Sequence, residues 1–126
     1  MNVVDSSGWL EYFADGANAA FFAPAIERPS ALVVPTISLY EVFKRVLQQR
    51  DESHALRAVA TMQQGVVVDL TAPIALSAAK LSVDTRLPMA DSVMLATALA
   101  YKALLWTQDV DLEGMQNVRY VRAQGR

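Results

Sequence analysis

A chain of 126 residues, 53% hydrophobic and 19% charged, suits one compact domain and is too apolar to stay disordered. It has no cysteine and a single histidine, His54, which excludes disulfides, thiolate catalysis, thiolate-held zinc and any multi-histidine metal site within one chain. The formal charge of −2 gives no overall pull toward nucleic acid, so such a contact must rest on local basic clusters and on metal.

The chain opens on a short apolar run, Asn2 to Val4, that ends on Asp5 and is followed by Ser6-Ser7-Gly8. That pattern predicts a buried strand delivering a carboxylate to the rim of a sheet, then a turn into a helix. Trp9, Leu10 and Phe13 recur at helical spacing until Asp15-Gly16 breaks the pattern. A second helix is expected to hold Phe21, Phe22 and Ile26, capped by Asn18 and kinked or shortened by Pro24.

Ala31 to Val34 reads as the next buried strand, stopped by Pro35-Thr36. Leu39, Val42, Phe43, Val46 and Leu47 then mark an amphipathic helix running toward Arg50. Another helix, about Ser53 to Gln63, ends at Gly65, and Val66 to Val68 is a third strand. Thr71 caps a further helix that tolerates Pro73 in its first turn and runs to about Val83. Leu87-Pro88 starts a new segment, and Asp91 opens an apolar helix from Val93 to Tyr101. Ala103 to Trp106 is a strand leading into Thr107-Gln108-Asp109, and Val118 to Val121 is the last strand before a basic tail of Arg119, Arg122 and Arg126.

The longest apolar helix candidate, Val93 to Leu105, is interrupted by Thr97 and Lys102 and is too short to cross a bilayer. Nor does a basic segment followed by a long apolar one begin the chain, so a soluble, cytoplasmic protein without a membrane segment is expected. No repeat or low-complexity linker divides it, and residues 1–126 read as one domain.

Strands that are short unbroken apolar runs, alternating with helices, indicate an α/β fold with a central parallel sheet covered on both faces. Ligands of such sheets bind outside the carboxyl ends of the strands. Asp5 and Asp109 fall at two such ends, and Glu41 and Asp91 are placed in the first turns of helices starting at the same rim. Each acid also has an ordinary local explanation. Ser38-Leu39-Tyr40-Glu41 matches a capping box, Asp91 suits a helix dipole, Asp5 can cap the first helix, and Asp109 sits in a turn sequence. The combination carries more weight than any member. Carboxylates gathered at one rim repel by about 4 kcal/mol per pair at 4 Å and an effective dielectric near 20. A hard divalent cation such as Mg²⁺ or Mn²⁺ would satisfy such a cluster with oxygen ligands. Asp69 and Asp111 compete for membership; Asp69 more simply starts a helix, and Asp111 stays a helper to Asp109.

With these residues in place the sequence resembles the PIN-domain nucleases, and within them the VapC-type toxins of prokaryotic toxin–antitoxin pairs. The resemblance rests on Val4-Asp5-Ser6-Ser7, Ser38-Leu39-Tyr40-Glu41-Val42, Ala90-Asp91-Ser92-Val93-Met94-Leu95-Ala96-Thr97-Ala98 and Leu105-Trp106-Thr107-Gln108-Asp109-Val110-Asp111, in that order over nearly the whole chain. Leu112 stands where many relatives place an aromatic residue, a departure that bears on packing. The resemblance implies a three-layer α/β/α sandwich and an endoribonuclease dependent on Mg²⁺ or Mn²⁺, acting as a homodimer and neutralised by a cognate antitoxin. It makes Asp5, Glu41, Asp91 and Asp109 the acidic, metal-holding site, with Ser6 and Thr107 as polar helpers.

Lys44 and Arg45 follow Glu41 at helical spacing and are candidates to meet the phosphates of RNA, or an ordinary solvated face. His54 lies on a polar stretch apart from every acid and reads as a surface residue. Trp9, Tyr12, Phe13, Phe21 and Phe22 exceed what two short helices need for a core, and the surplus suits an antitoxin groove or a dimer face. Two catalytic or signalling rivals fit less well. A phospho-acceptor module wants paired acids after the first strand, where Ser6 and Ser7 stand, and a dehalogenase-like phosphatase wants an acid at Ser7. A non-catalytic PIN-like scaffold that binds RNA or protein is the remaining alternative.

Overall fold

The computed structural model describes residues 1–124, and Arg126 of the basic tail lies outside them. Strand β1 (Asn2–Val4) leads into helices α1 (Ser6–Phe13) and α2 (Ala19–Ile26), and β2 (Val33–Pro35) into α3 (Thr36–Gln49) and α4 (Glu52–Met62). Then come β3 (Val66–Val68), α5 (Ala72–Thr85), α6 (Met89–Ala100), β4 (Leu104–Thr107) and β5 (Val118–Tyr120). Single 3-10 turns lie at Pro29–Ala31 and Val110–Leu112.

All the strand pairs run parallel, with Val3 opposite Leu105, Leu105 opposite Val118, and Val34 opposite Val67. One bridge between Asn2 and Leu32 joins the two halves, so the strands lie in the order β3-β2-β1-β4-β5. The chain winds outward one way from β1 and resumes on the other side at β4. The reversal therefore falls between β1 and β4, where a crevice opens at the carboxyl ends of doubly wound sheets.

Alternation along β1 sends neighbouring valines to opposite layers. Val4 packs with Trp9, Phe22, Val42 and Met62 under α1 to α4, whereas Val3 packs with Met94, Leu95 and Leu112 under α6. Helix α5 covers α6 from outside through Ile74, Ala78, Val93 and Ala96. The result is the expected α/β/α sandwich. Helix α6 is buried from Ser92 through Ala98 because the sheet lies on one side and α5 on another, which is why its sequence is apolar almost all round. Leu112, in place of an aromatic residue, is fully enclosed in the second core cluster. No helix among the described residues is long and apolar enough to cross a membrane.

Several local expectations need correction. The second strand begins at Val33 rather than Ala31, because Pro29, with its fixed φ, starts a 3-10 turn that occupies Pro29–Ala31. Helix α3 starts at Thr36, which puts Glu41 in its second turn, not its first. The capping box does not form: Ser38 Oγ donates to the Pro35 carbonyl, and Glu41 bonds elsewhere. Asn18 precedes α2, but its side chain makes no cap bond. Thr71 does cap α5, accepting from the Ile74 amide at 3.4 Å, with Pro73 in the first turn.

Candidate metal centre

Asp5 sits where β1 ends, and its amide continues the ladder by donating to the Trp106 carbonyl at 3.1 Å. Its side chain caps α1: Oδ1 accepts from the Gly8 amide at 3.0 Å and from Ser7 Oγ at 2.7 Å. Oδ2 accepts from Thr107 Oγ1 at 2.6 Å, across the β1–β4 seam. Only 4% of Asp5 is exposed. Burial pushes its carboxyl above the usual range; the Thr107, Ser7 and Gly8 bonds oppose this, and the charge of Asp109 adds to it.

Asp109 follows β4 and caps the turn Val110–Leu112 by accepting from the Asp111 amide at 2.9 Å. Its own amide donates to Thr107 Oγ1 at 2.9 Å, so one hydroxyl holds both acids. Asp91 enters from the opposite layer in the first turn of α6, where the helix dipole favours an anion by about 0.3–1 kcal/mol. Burial outweighs that preference. Together with the negative charge of Asp109, then Asp5 and Asp111, it pushes the Asp91 carboxyl up to about 7.

Carboxylate oxygens of Asp5, Asp91 and Asp109 all lie within 4.8 Å of one another. At such spacing three negative charges repel strongly, and a hard cation with oxygen ligands relieves the repulsion. The donor set fits Mg²⁺ or Mn²⁺ and contains no thiolate or imidazole that would favour softer metals.

The other expected residues are placed less directly. Glu41 stands outside the trio and accepts from Ser6 Oγ at 2.5 Å, which sets it one residue's reach from Asp5. Asp111 presents its amide to Asp109 while its own side chain is exposed. Lys44 and Arg45 are exposed, and Lys44 Nζ lies 5.6 Å from the centre of the Tyr40 ring rather than against the acids. Arg119 stacks on Trp106 at 4.5 Å. His54 is held between Asp51 and Arg50 at the α3–α4 junction. Ser7, which bonds Asp5 directly, was not singled out as a helper; its position two residues after a strand-end acid was the available signal.

The family model for the PIN domain matches residues 3–117, a span that begins in β1 and includes the trio and both of its hydroxyl partners. The chain belongs to the PIN-domain family. This PIN domain superposes on a toxin–antitoxin complex from Klebsiella pneumoniae with a TM-score of 0.79 at 21% identity, covering 94% of this chain and 96% of that one. It superposes on VapC20 of Mycobacterium tuberculosis, described as a sarcin–ricin loop cleaving toxin, with a TM-score of 0.73 at 19% identity, covering 94% and 99%. A DNA-bound VapBC from Salmonella typhimurium gives a TM-score of 0.72 at 13% identity, covering 97% and 98%. At these identities the likeness is one of fold. No curated protein matches in sequence.

Proposed function

We propose that this PIN domain is a metal-dependent endoribonuclease, the VapC-type toxin of a toxin–antitoxin pair, working in the prokaryotic cytoplasm. The observation that carries the reading is the convergence of Asp5, Asp91 and Asp109 within 4.8 Å at the carboxyl ends of β1 and β4, where the strand order reverses. Asp5 and Asp91 are the direct ligands, and Asp109 and Glu41 bind a second ion or orient water. Bound Mg²⁺ or Mn²⁺ would supply a more acidic water and offset charge on the phosphate.

The chain's own side chains build and aim that site. Ser7 and the Gly8 amide on Oδ1, with Thr107 on Oδ2, fix the plane of the Asp5 carboxylate. Ser6 turns Glu41 toward the α1 start, and the Asp111 amide orients Asp109. Lys44 and Arg45, exposed beyond Glu41, meet flanking phosphates of the RNA.

The antitoxin reading is supported by the toxin–antitoxin neighbours and by a groove of about 320 Å³ between α1, α3 and α4. Leu10, Phe13, Val46 and Ala58 line it, with Arg50 and Arg57 at its edge, a surface suited to an amphipathic segment bearing acids. Of the aromatic surplus, Trp9 and Phe22 are core, and Phe13 lines the groove. A homodimer completes the proposal.

Incubation of the protein with structured RNAs and Mg²⁺ or Mn²⁺, beside Asp5→Asn and Asp91→Asn, tests the nuclease. Metal-dependent cleavage lost in both variants is expected. Absence of cleavage together with absence of Mn²⁺ binding by calorimetry would overturn it in favour of a non-catalytic scaffold.

A further inference from the structure

Asn18 lies in the α1–α2 loop, far in sequence from Asp91 and Asp109, yet it is 6% exposed and its carboxamide makes no helix cap. Its Nδ2 instead donates to Gln108 Oε1 at 3.0 Å and to the Arg122 carbonyl at 2.9 Å. Gln108 lies between Thr107, which bonds Asp5, and Asp109 of the trio. Arg122 follows Val121, whose amide donates to the Thr107 carbonyl at 3.0 Å. One amide group thus straddles the ends of β4 and β5 and ties both to the α1–α2 loop.

The loop itself is braced for this purpose. Glu11 Oε2 accepts from the Asn18 amide at 2.8 Å. A Cβ on Gly16 would fall 2.5 Å from that same carboxylate, so a side chain there would push Glu11 off its partner. Within the turn after β4, the local bonds run from the Asp109 amide to Thr107 Oγ1, from the Asp111 amide to Asp109 Oδ1 and from the Leu112 amide to the Asp109 carbonyl. Those bonds shape the turn, and Thr107 Oγ1 also ties it to Asp5 across the β1–β4 seam. The Asn18 donor pair adds a tie from the α1–α2 side, and its loss would leave the Gln108 and Arg122 oxygens without that partner.

We propose that Asn18 is a positioning residue of the metal centre, acting through Gln108 and Arg122 to hold the turn that carries Thr107 and Asp109. The inference rests on the metal-centre reading for its consequence and on the hydrogen-bond geometry for its substance. Near-isosteric Asn18→Leu removes both donors while keeping the side chain's bulk.

Two measurements on the full chain test it. Amide hydrogen exchange of metal-free protein at Asp109 and Val121 should accelerate in Asn18→Leu, while Val3 and Val34 in the sheet interior keep their protection. Mn²⁺ affinity by calorimetry should weaken about tenfold or more, and Gln108→Ala added to Asn18→Leu should add less than it does alone. Phe22→Leu, a core change in the neighbouring helix, measures how far a loss of thermal stability alone lowers Mn²⁺ affinity. Unchanged exchange at Asp109 overturns the proposal. So does additivity of the two substitutions, or a Phe22→Leu loss of Mn²⁺ affinity equal to that of Asn18→Leu. Were the wild type to bind no Mn²⁺, the metal-centre reading would fall, and exchange at Asp109 alone would decide whether Asn18 holds the turn.

Discussion

Thr107 Oγ1 donates to Asp5 Oδ2 and accepts from the Asp109 amide, so a single hydroxyl sets the spacing of two acids that come from different strand ends. A Thr107→Val substitution keeps the shape and deletes both bonds. It leaves a buried carboxylate oxygen short of a partner, which costs about 1–3 kcal/mol of stability in the metal-free protein. Mn²⁺ affinity and RNA cleavage should each fall about 10–100-fold, measured by calorimetry and by initial rates.

The same crowding of acids makes metal-free stability depend on pH. Asp5 is raised from 3.8, and Asp91 is raised from 3.8 to about 7. A raised carboxyl binds its proton more tightly in the folded than in the unfolded chain. Its contribution is therefore fully present below the unfolded value of 3.8 and is lost as pH climbs toward about 7. In chelator, the melting temperature of the wild type should decline relative to Asp91→Asn as pH rises from about 4 to about 7. Adding Mn²⁺ at pH 7 should reverse the difference, because the wild type then binds the ion through Asp91 and the variant loses that ligand. Parallel curves with and without Mn²⁺ would contradict both statements.

At the scale of elements, the approach of α1 to the sheet depends on a missing side chain. A Cβ on Gly8 would lie 2.6 Å from the Phe22 ring and 2.7 Å from a Val4 methyl, both fully buried. Gly8→Ala must therefore move α1, and with it the cap that Asp5 forms on the Gly8 amide. A loss of about 1–3 kcal/mol in urea unfolding is expected. Helix α5 offers the opposite case. It ends on Arg86 at φ 62°, a left-handed conformation that a side chain disfavours. Arg86→Gly relieves that strain at an exposed position, and a gain of up to about 1 kcal/mol should appear in the same measurement.

For the molecule as a whole, the acids and the α1–α3–α4 groove are lined by different residues. Catalysis and neutralisation should therefore separate by mutation. Arg50→Glu with Arg57→Glu reverses the charge at the groove edge, far in sequence from the trio. On the function proposed above, it should weaken antitoxin binding at least about tenfold, read by calorimetry, while metal-dependent RNA cleavage by the chain alone is retained. Equal loss of both would mean that the groove and the acid rim act as one surface.

Much of this was readable along the chain. The β1–Asp5–α1 junction, the cap at Thr71 and the alternation of strands with helices are local patterns, because an apolar run, a short polar side chain or a glycine acts on its immediate neighbours. Residue types alone also excluded thiolate ligands and left at most one imidazole, since the chain has no cysteine and one histidine. Local reading failed where a side chain had two partners to choose from. Glu41 has the spacing of a capping box and bonds Ser6 instead; Asn18 has the position of a helix cap and bonds Gln108 and Arg122 instead. Only the strand order, with β4 laid beside β1, brings Asp109 and Thr107 to Asp5 and Asp91. Hydrogen bonds and charge repulsion act over a few ångströms in space whatever their separation in sequence, so which acids share a cation is decided by the tertiary fold.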